Sequence, residues 1–515
     1  MNWLRGTLGV ATALLLAGPG CTRLIDHSTA QCKSADDCKR FHNHPFCVNS
    51  LCVPSNLAPD DCFFPTQMMP LVTPENFLNQ CSTGFLPSNR DNPLGNCLSY
   101  TAVIDPGAGL KDPPTPRPPP AKTGPVPTAM CKDLVPAGMS VLYLSGSSNF
   151  QPLLQELAPV VVGKSHIVPV FRVTTSCTGV RAMNPSNPTY SADHFIKDPV
   201  VATDAYAQIF LPSGPAVSCL LGSAGVAVDI GESEIFPDTC GTPNSPEDVS
   251  EGLGPILPII FAVPQVSTER AISFAAAQQV YGGGGGVSPW QEPSFIYGRA
   301  SGTATLRLVA KELELAPTKV WGIDQGTAGA MAVNLAGITD LATAQTAIGI
   351  IGADFYDFYR GSLKALAFQA KAQECAYLPD STLTSKDKMN VRDGHYPLWG
   401  RIHFFTARSS GLPVSDVAAQ FVLLLTNPNL DPGILDAFID ASFVPACAMK
   451  IRRETELGDP SPDDPPAYSC ACAFDFRVNP NKSVLPPGCT PCMSNGDCLN
   501  SDRPSCNYGY CEPVQ

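Results

Sequence analysis

Positive charge is scarce in this chain: 33 lysines and arginines stand against 46 aspartates and glutamates, leaving a net charge of −13 over 515 residues. A nucleic-acid partner would reward the opposite balance, so that class is excluded. Histidine is also rare, with seven residues, none in a motif with a nucleophile, and no metal-ligand spacing appears. Serine-triad and metal-dependent enzymes lack their raw material here. Beyond the N-terminus no hydrophobic run is long and unbroken enough to span a bilayer. The five glycines Gly282 to Gly286 lack the Gly-Lys-Ser/Thr ending of a nucleotide loop and read as a flexible loop.

Proline and cysteine are plentiful, at 52 and 21 residues. The cysteines are spread along most of the chain, which points to an oxidising compartment. Arg5 followed by the apolar run Leu8 to Ala17 fits a signal peptide over 1–20. Cys21, after Ala17-Gly18-Pro19-Gly20, is a candidate lipidation site, with ordinary cleavage nearby as the alternative.

An internal repeat flanks the chain. Cys32-x5-Cys38-x8-Cys47-x4-Cys52 near the start matches Cys492-x5-Cys498-x7-Cys506-x4-Cys511 near the end, and an aspartate (Asp37, Asp497) precedes each second cysteine. Modules of about 20 residues bury too little apolar surface to fold without covalent help, so disulfides are expected. Neither copy has a C-x2-C pair, which disfavours zinc. The spacing leaves the pairing open. The organisation expected is a Cys-rich region over 21–111, a Pro-rich linker over 112–137, a central domain over 138–450, a linker over 451–488 and a Cys-rich module over 489–515.

The central domain alternates strands and helices, which makes an α/β class the natural expectation. Met139 to Leu144 reads as a strand, Ser145 to Phe150 as a hydroxyl-rich turn, and Gln151 to Val162 as a helix with Leu153, Leu154, Leu157, Val160 and Val161 on one face. Val168 to Val173 is a second strand, and Thr174 to Arg181 a second turn entering a helix. Val226 to Ile230 reads as a further strand, leading into Gly231-Glu232-Ser233-Glu234. The apolar run Pro255 to Pro264 has the pattern of a strand buried on both faces in a parallel sheet. Ser301-Gly302-Thr303 precedes Leu306, Val309, Ala310 and Leu313 at helical spacing, so it should open a helix. A helix start offers unpaired N–H groups and partial positive charge, and Arg299 lies just upstream, so the three residues and the arginine form a candidate oxyanion cradle. Val417 to Leu425, with Ser415 as N-cap, and Ile434 to Ile439 read as closing helices.

In order along the chain these stretches resemble the phosphate-type substrate-binding proteins of bacterial ABC transporters, over about residues 138–445. Ser145 to Phe150 looks like that family's first ligand turn, Thr175 to Val180 like its Gly-Ser-Ser-Gly-Gly-Val turn, and Asp229 to Glu234 like its Asp-Phe-Gly-Ala-Ser-Asp. Val280 to Trp290 falls where the family has a Phe-Gly…Trp segment, and Arg299 with Ser301-Gly302-Thr303 where it has Arg…Ser-Gly-Thr. Gly326 to Ala330, Ala347 to Gly352 and Tyr396-Pro397-Leu398 match its later turns and strand.

The resemblance implies a two-lobed periplasmic-binding-protein fold of the second topological type. Lobe 1 would comprise about 138–262 and 390–450, and lobe 2 about 263–389. It also implies ligand contacts from Ser148, Asn149, the backbone of Phe150, Ser176, Glu234, Arg299, Ser301, Gly302 and Thr303. Glu234 stands where the family has an aspartate that accepts a proton of bound phosphate, so it would favour protonated oxyanions over sulfate. Cys177 replaces a serine, with Cys219 or Cys240 as a possible disulfide partner. The function implied is that of an anchored extracytoplasmic monomer for phosphate or a similar oxyanion, feeding an ABC permease or a sensor, with no cofactor and no catalytic residues. The alternative is a surface lipoprotein that keeps the fold as an interaction scaffold.

Overall fold

The computed structural model describes the strands Phe46–Val48 and Leu51–Val53 and residues 126–513, apart from 185–188, 201–204, 243–247, 372, 374–375, 410–411, 463–465, 467 and 501. The signal peptide, Cys21 and the Pro-rich stretch lie outside the described residues.

Strand β1 (Ser140–Gly146) runs parallel to β2 (Ile167–Val173), paired from Ser140↔Ile167 to Gly146↔Val173. Helix α1 (Phe150–Ser165) joins them, burying Phe150, Leu153, Leu154, Leu157 and Val161 against the sheet. It ends where His166 turns left-handed (φ 55°) and donates its N–H to the Val162 carbonyl. Beyond β2 lie β3 (Ala207–Ile209) and β4 (Val217–Cys219), both antiparallel. On the other side of β1 comes β5 (Ile230–Ser233), which is parallel to it.

Two long strands then link this lobe to the next. β6 (Val249–Pro264) pairs antiparallel with β9 (Trp399–Ser409) along its first half. Its second half pairs antiparallel with β7 (Gly349–Gly352) and β8 (Leu363–Ala365) in the second lobe. The main order is therefore β7-β6-β9-β5-β1-β2-β3-β4. The expectation of a parallel sheet for 255–264 is corrected: the run is fully buried, with Leu257 and Ile259 to Val263 at zero exposure, but every partner is antiparallel. A continuous apolar run reports cover on both faces, and here a strand passing between two lobes receives it.

The second lobe holds α3 (Phe274–Gly283), α4 (Ala304–Glu312), α5 (Ala328–Ala336) and α6 (Ala353–Phe358), between short parallel strand pairs. Ser273, Thr303 and Thr327 cap the first three, each accepting the N–H of the residue three further on. The glycine run is the C-terminal cap of α3, with Gly284, Gly285 and Gly286 all at positive φ and Gly284 against the Trp321 ring. The chain returns through β9 to the first lobe, where α7 (Asp416–Thr426) and α8 (Pro432–Asp440) follow.

The described residues of 451–488, a stretch read from its prolines and acids as a linker, are built into the domain at Arg453, Glu456 and Cys470. Arg453 donates to the Pro397 carbonyl (2.8 Å), lies 4.2 Å over the Trp399 ring and is attracted by Glu312 of α4. Glu456 accepts the Phe236 N–H at 2.9 Å in the first lobe. This strap therefore ties the return strand to the turn after β5, within reach of the charge on Glu312 in the second lobe. Cys447–Cys470 fixes its far end, and α9 (Ala471–Val478) follows, with Arg392 bonded to Asp475 and stacked on Phe474.

Cys472–Cys489 then leads into the last module, where Cys492 pairs with Cys506 and Cys498 with Cys511. The Sγ atoms of Cys492, Cys498 and Cys511 lie within 4.8 Å of one another, and each belongs to a disulfide. The repeat seen in the sequence recurs in register: Cys47↔Cys52 and Cys506↔Cys511 are facing residues of equivalent short hairpins.

Candidate functional site

Helix α2 (Ser176–Ala182) begins at the end of β2, where Thr175 caps it by accepting the Thr178 N–H. Two glycines bring it onto β5: a Cβ on Gly179 would sit 2.0 Å from the Glu232 carbonyl, and one on Gly231 would sit 2.0 Å from the Gly179 carbonyl. This contact sets the first residue of α2, Ser176, beside the residue that follows β5, Glu234. The Ser176 hydroxyl donates to Glu234 Oε2 at 2.6 Å and accepts the N–H of Ala304, the first residue of α4, at 3.0 Å. Cys177 donates its N–H to the Gly302 carbonyl and is bonded to Cys240. Cys219 pairs with Cys131 instead.

The turn after β1 approaches the same place. Ser148 Oγ accepts from Arg299 Nη2 (3.3 Å) and from the N–H of Ala328, the first residue of α5 (3.2 Å). Asn149 Nδ2 donates to Thr305 Oγ1 of α4. First-lobe side chains thus close onto the N-termini of α4 and α5, the points where unpaired N–H groups and the helix dipole favour negative charge.

Of the residues expected at the ligand, Ser148, Asn149, Ser176, Glu234, Arg299 and Thr303 are all buried between the lobes. Phe150 is there only through its backbone. Its ring packs in the core against Phe171 and Phe404, and its N–H already bonds the Ser147 carbonyl. Thr303 spends its hydroxyl on the Ala300 carbonyl while capping α4. Gly302 packs close to Thr175 and gives its carbonyl to Cys177. Ser301 is exposed, and its carbonyl accepts from Arg307 Nε at 2.7 Å. The structure does not bring it to the cleft, because Thr303 is the residue in phase to cap.

Three residues join the site that the motif reading did not assign. Ser147 gives its N–H to Glu232 Oε2 at 2.8 Å, and Gly146 leaves room for that carboxylate. Glu232 has no exposed surface, and Asp354, at the start of α6, is 6% exposed. Glu232 could have been noticed as a second acid two residues before Glu234. Asp354 gave no signal, standing alone after an apolar strand.

The electrostatics are unusual. Burial pushes the Glu232 and Asp354 carboxyls well above their ordinary range, and Glu234 repels both. Burial also raises Glu234, opposed by the Ser147 and Ser176 hydroxyls and by Arg299. Burial lowers the Arg299 guanidinium, which Asp324, Glu234 and Asp354 support. Glu232 Oε1, Glu234 Oε1, both Asp354 oxygens, Asn149 Oδ1 and Arg299 Nε are buried without a hydrogen-bond partner.

Fold and cleft together define a two-lobed α/β architecture with a disulfide-rich C-terminus. No protein-family model matches the chain, and no curated protein sequence matches it. Among solved structures it is similar to a substrate-binding protein assigned to phosphate ABC transport from Clostridium perfringens, solved with bound phosphate (12% identity, 60% of this chain and 100% of that one, TM-score 0.40). It is similar also to an ABC-type phosphate transport receptor from Vibrio cholerae (11% identity, 59% and 100%, TM-score 0.37). A third similar structure is an OxyR C206 mutant from Corynebacterium glutamicum (9% identity, 60% and 68%, TM-score 0.32).

Proposed function

We propose that this chain is an extracytoplasmic solute-binding protein whose inter-lobe cleft takes phosphate or a similar small oxyanion and passes it to an ABC permease or a sensor. The observation that carries the reading is the seat of Glu234: a carboxylate, itself an oxyanion, lies buried on the Ser176 hydroxyl, close to Arg299 and the start of α4. The cleft already accommodates that chemistry. Apart from the unpartnered Arg299 Nε, its other donors are engaged with acceptors of the chain, so a ligand enters when the lobes part and takes donors now spent on protein groups.

Six disulfides among the described residues support an oxidising location outside the cytoplasm. Among those residues no helix is long and apolar enough to cross a membrane. Attachment through a lipid on Cys21 is part of the proposal, and loss of labelled fatty acid in Cys21→Ala tests it.

The second reading is a scaffold that no longer exchanges a ligand. The strap from Arg453 to Glu456, bonded to Pro397 and Phe236 and attracted by Glu312 of the second lobe, favours it. Titration calorimetry of the full chain with phosphate, arsenate and sulfate separates the two. Binding that disappears in Ser176→Ala and Arg299→Ala supports the solute-binding reading. No heat with any of the three anions supports the scaffold.

A further inference from the structure

The unpartnered atoms of the cleft are lopsided. Five are oxygens, belonging to Glu232, Glu234, Asp354 and Asn149, and one is the Arg299 Nε–H donor. Buried polar atoms are almost always paired, and no group of the chain pairs these. Three carboxyl groups share the space with one guanidinium. The charged groups facing Glu232 and Asp354 are Glu234 beside both and Arg299 beside Asp354, with Asp324 next to Arg299.

A fully ionised oxyanion brings acceptors only. It would leave Glu234 Oε1 and Asn149 Oδ1 unmet even if the other carboxyls held protons, and would add charge of the wrong sign to a buried acidic cluster. A protonated oxyacid differs on both counts. Its O–H groups donate to Glu234 Oε1 and Asn149 Oδ1. Its bare oxygens accept from Arg299 Nε and from Glu232 and Asp354 once those carboxyls hold protons.

We propose that Glu232 and Asp354 set the charge state in which the cleft accepts its ligand: an oxyanion enters together with protons from solvent, carried on its own oxygens and on these two carboxyls. A dianion that stays unprotonated is refused. This rests on the solute-binding reading, and it assigns to two further residues a discrimination that Glu234 alone would otherwise carry.

The test is calorimetry of the full chain with inorganic phosphate at pH 5.5 and pH 8.0, each in two buffers of different ionisation heat, so that proton uptake is counted directly. The expected result is an affinity at least about tenfold higher at pH 5.5, with more protons taken up than the second ionisation of phosphate supplies. In the double variant Glu232→Gln/Asp354→Asn the amides donate at any pH. Phosphate affinity and proton uptake should then follow the ionisation of phosphate alone, with no further pH dependence from these two positions. Pairing Glu232→Ala with Asp354→Ala should abolish binding. Wild-type affinity and uptake that follow phosphate ionisation alone overturn the inference and leave the solute-binding reading standing. So do amide variants as pH-sensitive as wild type. Should those variants fail to fold, the wild-type proton count decides by itself. If no oxyanion binds at either pH, both readings fall.

Discussion

Glu456→Gln tests the strap. The residue is 5% exposed, and its Oε2 accepts the Phe236 N–H two residues after Glu234. Burial pushes its carboxyl from an ordinary 4.5 up to about 7, against the pull of that N–H and of Lys311 and Arg453. The sign follows from linkage. Between 4.5 and 7 the folded chain holds a proton that the unfolded chain has released, so stability is greatest at low pH and is lost as pH rises through that window. Integrated from pH 5 to pH 8, the loss from this one group is about 2–3 kcal/mol. Glutamine keeps an oxygen for the Phe236 N–H but cannot ionise. The variant should therefore match wild type near pH 5 and exceed it by about that amount at pH 8. Urea unfolding followed by fluorescence at pH 5, 6, 7 and 8 reads the difference directly. Wild-type pH dependence should persist in part, because burial also raises Glu269 and Glu312 to about 7. Equal slopes for variant and wild type would refute the argument, and so would a variant less stable at pH 8.

Gly179→Ala should be far more damaging than a surface change of the same size. Its Cβ meets a backbone carbonyl at 2.0 Å, so α2 must leave β5 or the variant does not fold. A loss of more than about 3 kcal/mol, read as a fall in melting temperature, is expected. Ser301→Ala, by contrast, should shift stability by less than about 0.5 kcal/mol and leave phosphate affinity unchanged in calorimetry, since the residue is exposed to solvent while Ser176, Arg299 and Thr303 are buried.

Much of this site was legible because turns that enter helices have strong local chemistry. Thr175 and Thr303 announce helix starts by residue type, and the strands before and after α1 show in their apolar runs. What sequence could not supply was phase and direction. Ser301 and Thr303 are equally good caps in composition, and a shift of two residues decides which faces solvent. The run 255–264 reported burial truly, but burial on both faces is blind to whether neighbours run parallel. Cys177 had two reasonable partners until the fold carried Cys240 to the start of α2. The strap was hidden by its own composition: prolines and acids read as a linker, whereas Arg453 and Glu456 are held by Pro397, Trp399 and Phe236, residues distant in sequence.

The position of Glu234 connects these pieces. Its carbonyl is crossed by the return strand, where a Cβ on Gly400 would lie 2.1 Å away, and its carboxylate rests on Ser176. Two residues further on, the backbone is held by Glu456, and past that turn Cys240 is bonded to Cys177. Four constraints from α2, β9, the strap and a disulfide therefore act on one short segment. Three of them belong to the first lobe or to the strand that enters it, so the segment keeps its place when α4 moves. Arg453 of the strap is also attracted by Glu312 at the far end of α4, the helix whose start meets Ser176. Parting the lobes must therefore break the Ala304–Ser176 contact and strain the Arg453–Glu312 attraction together.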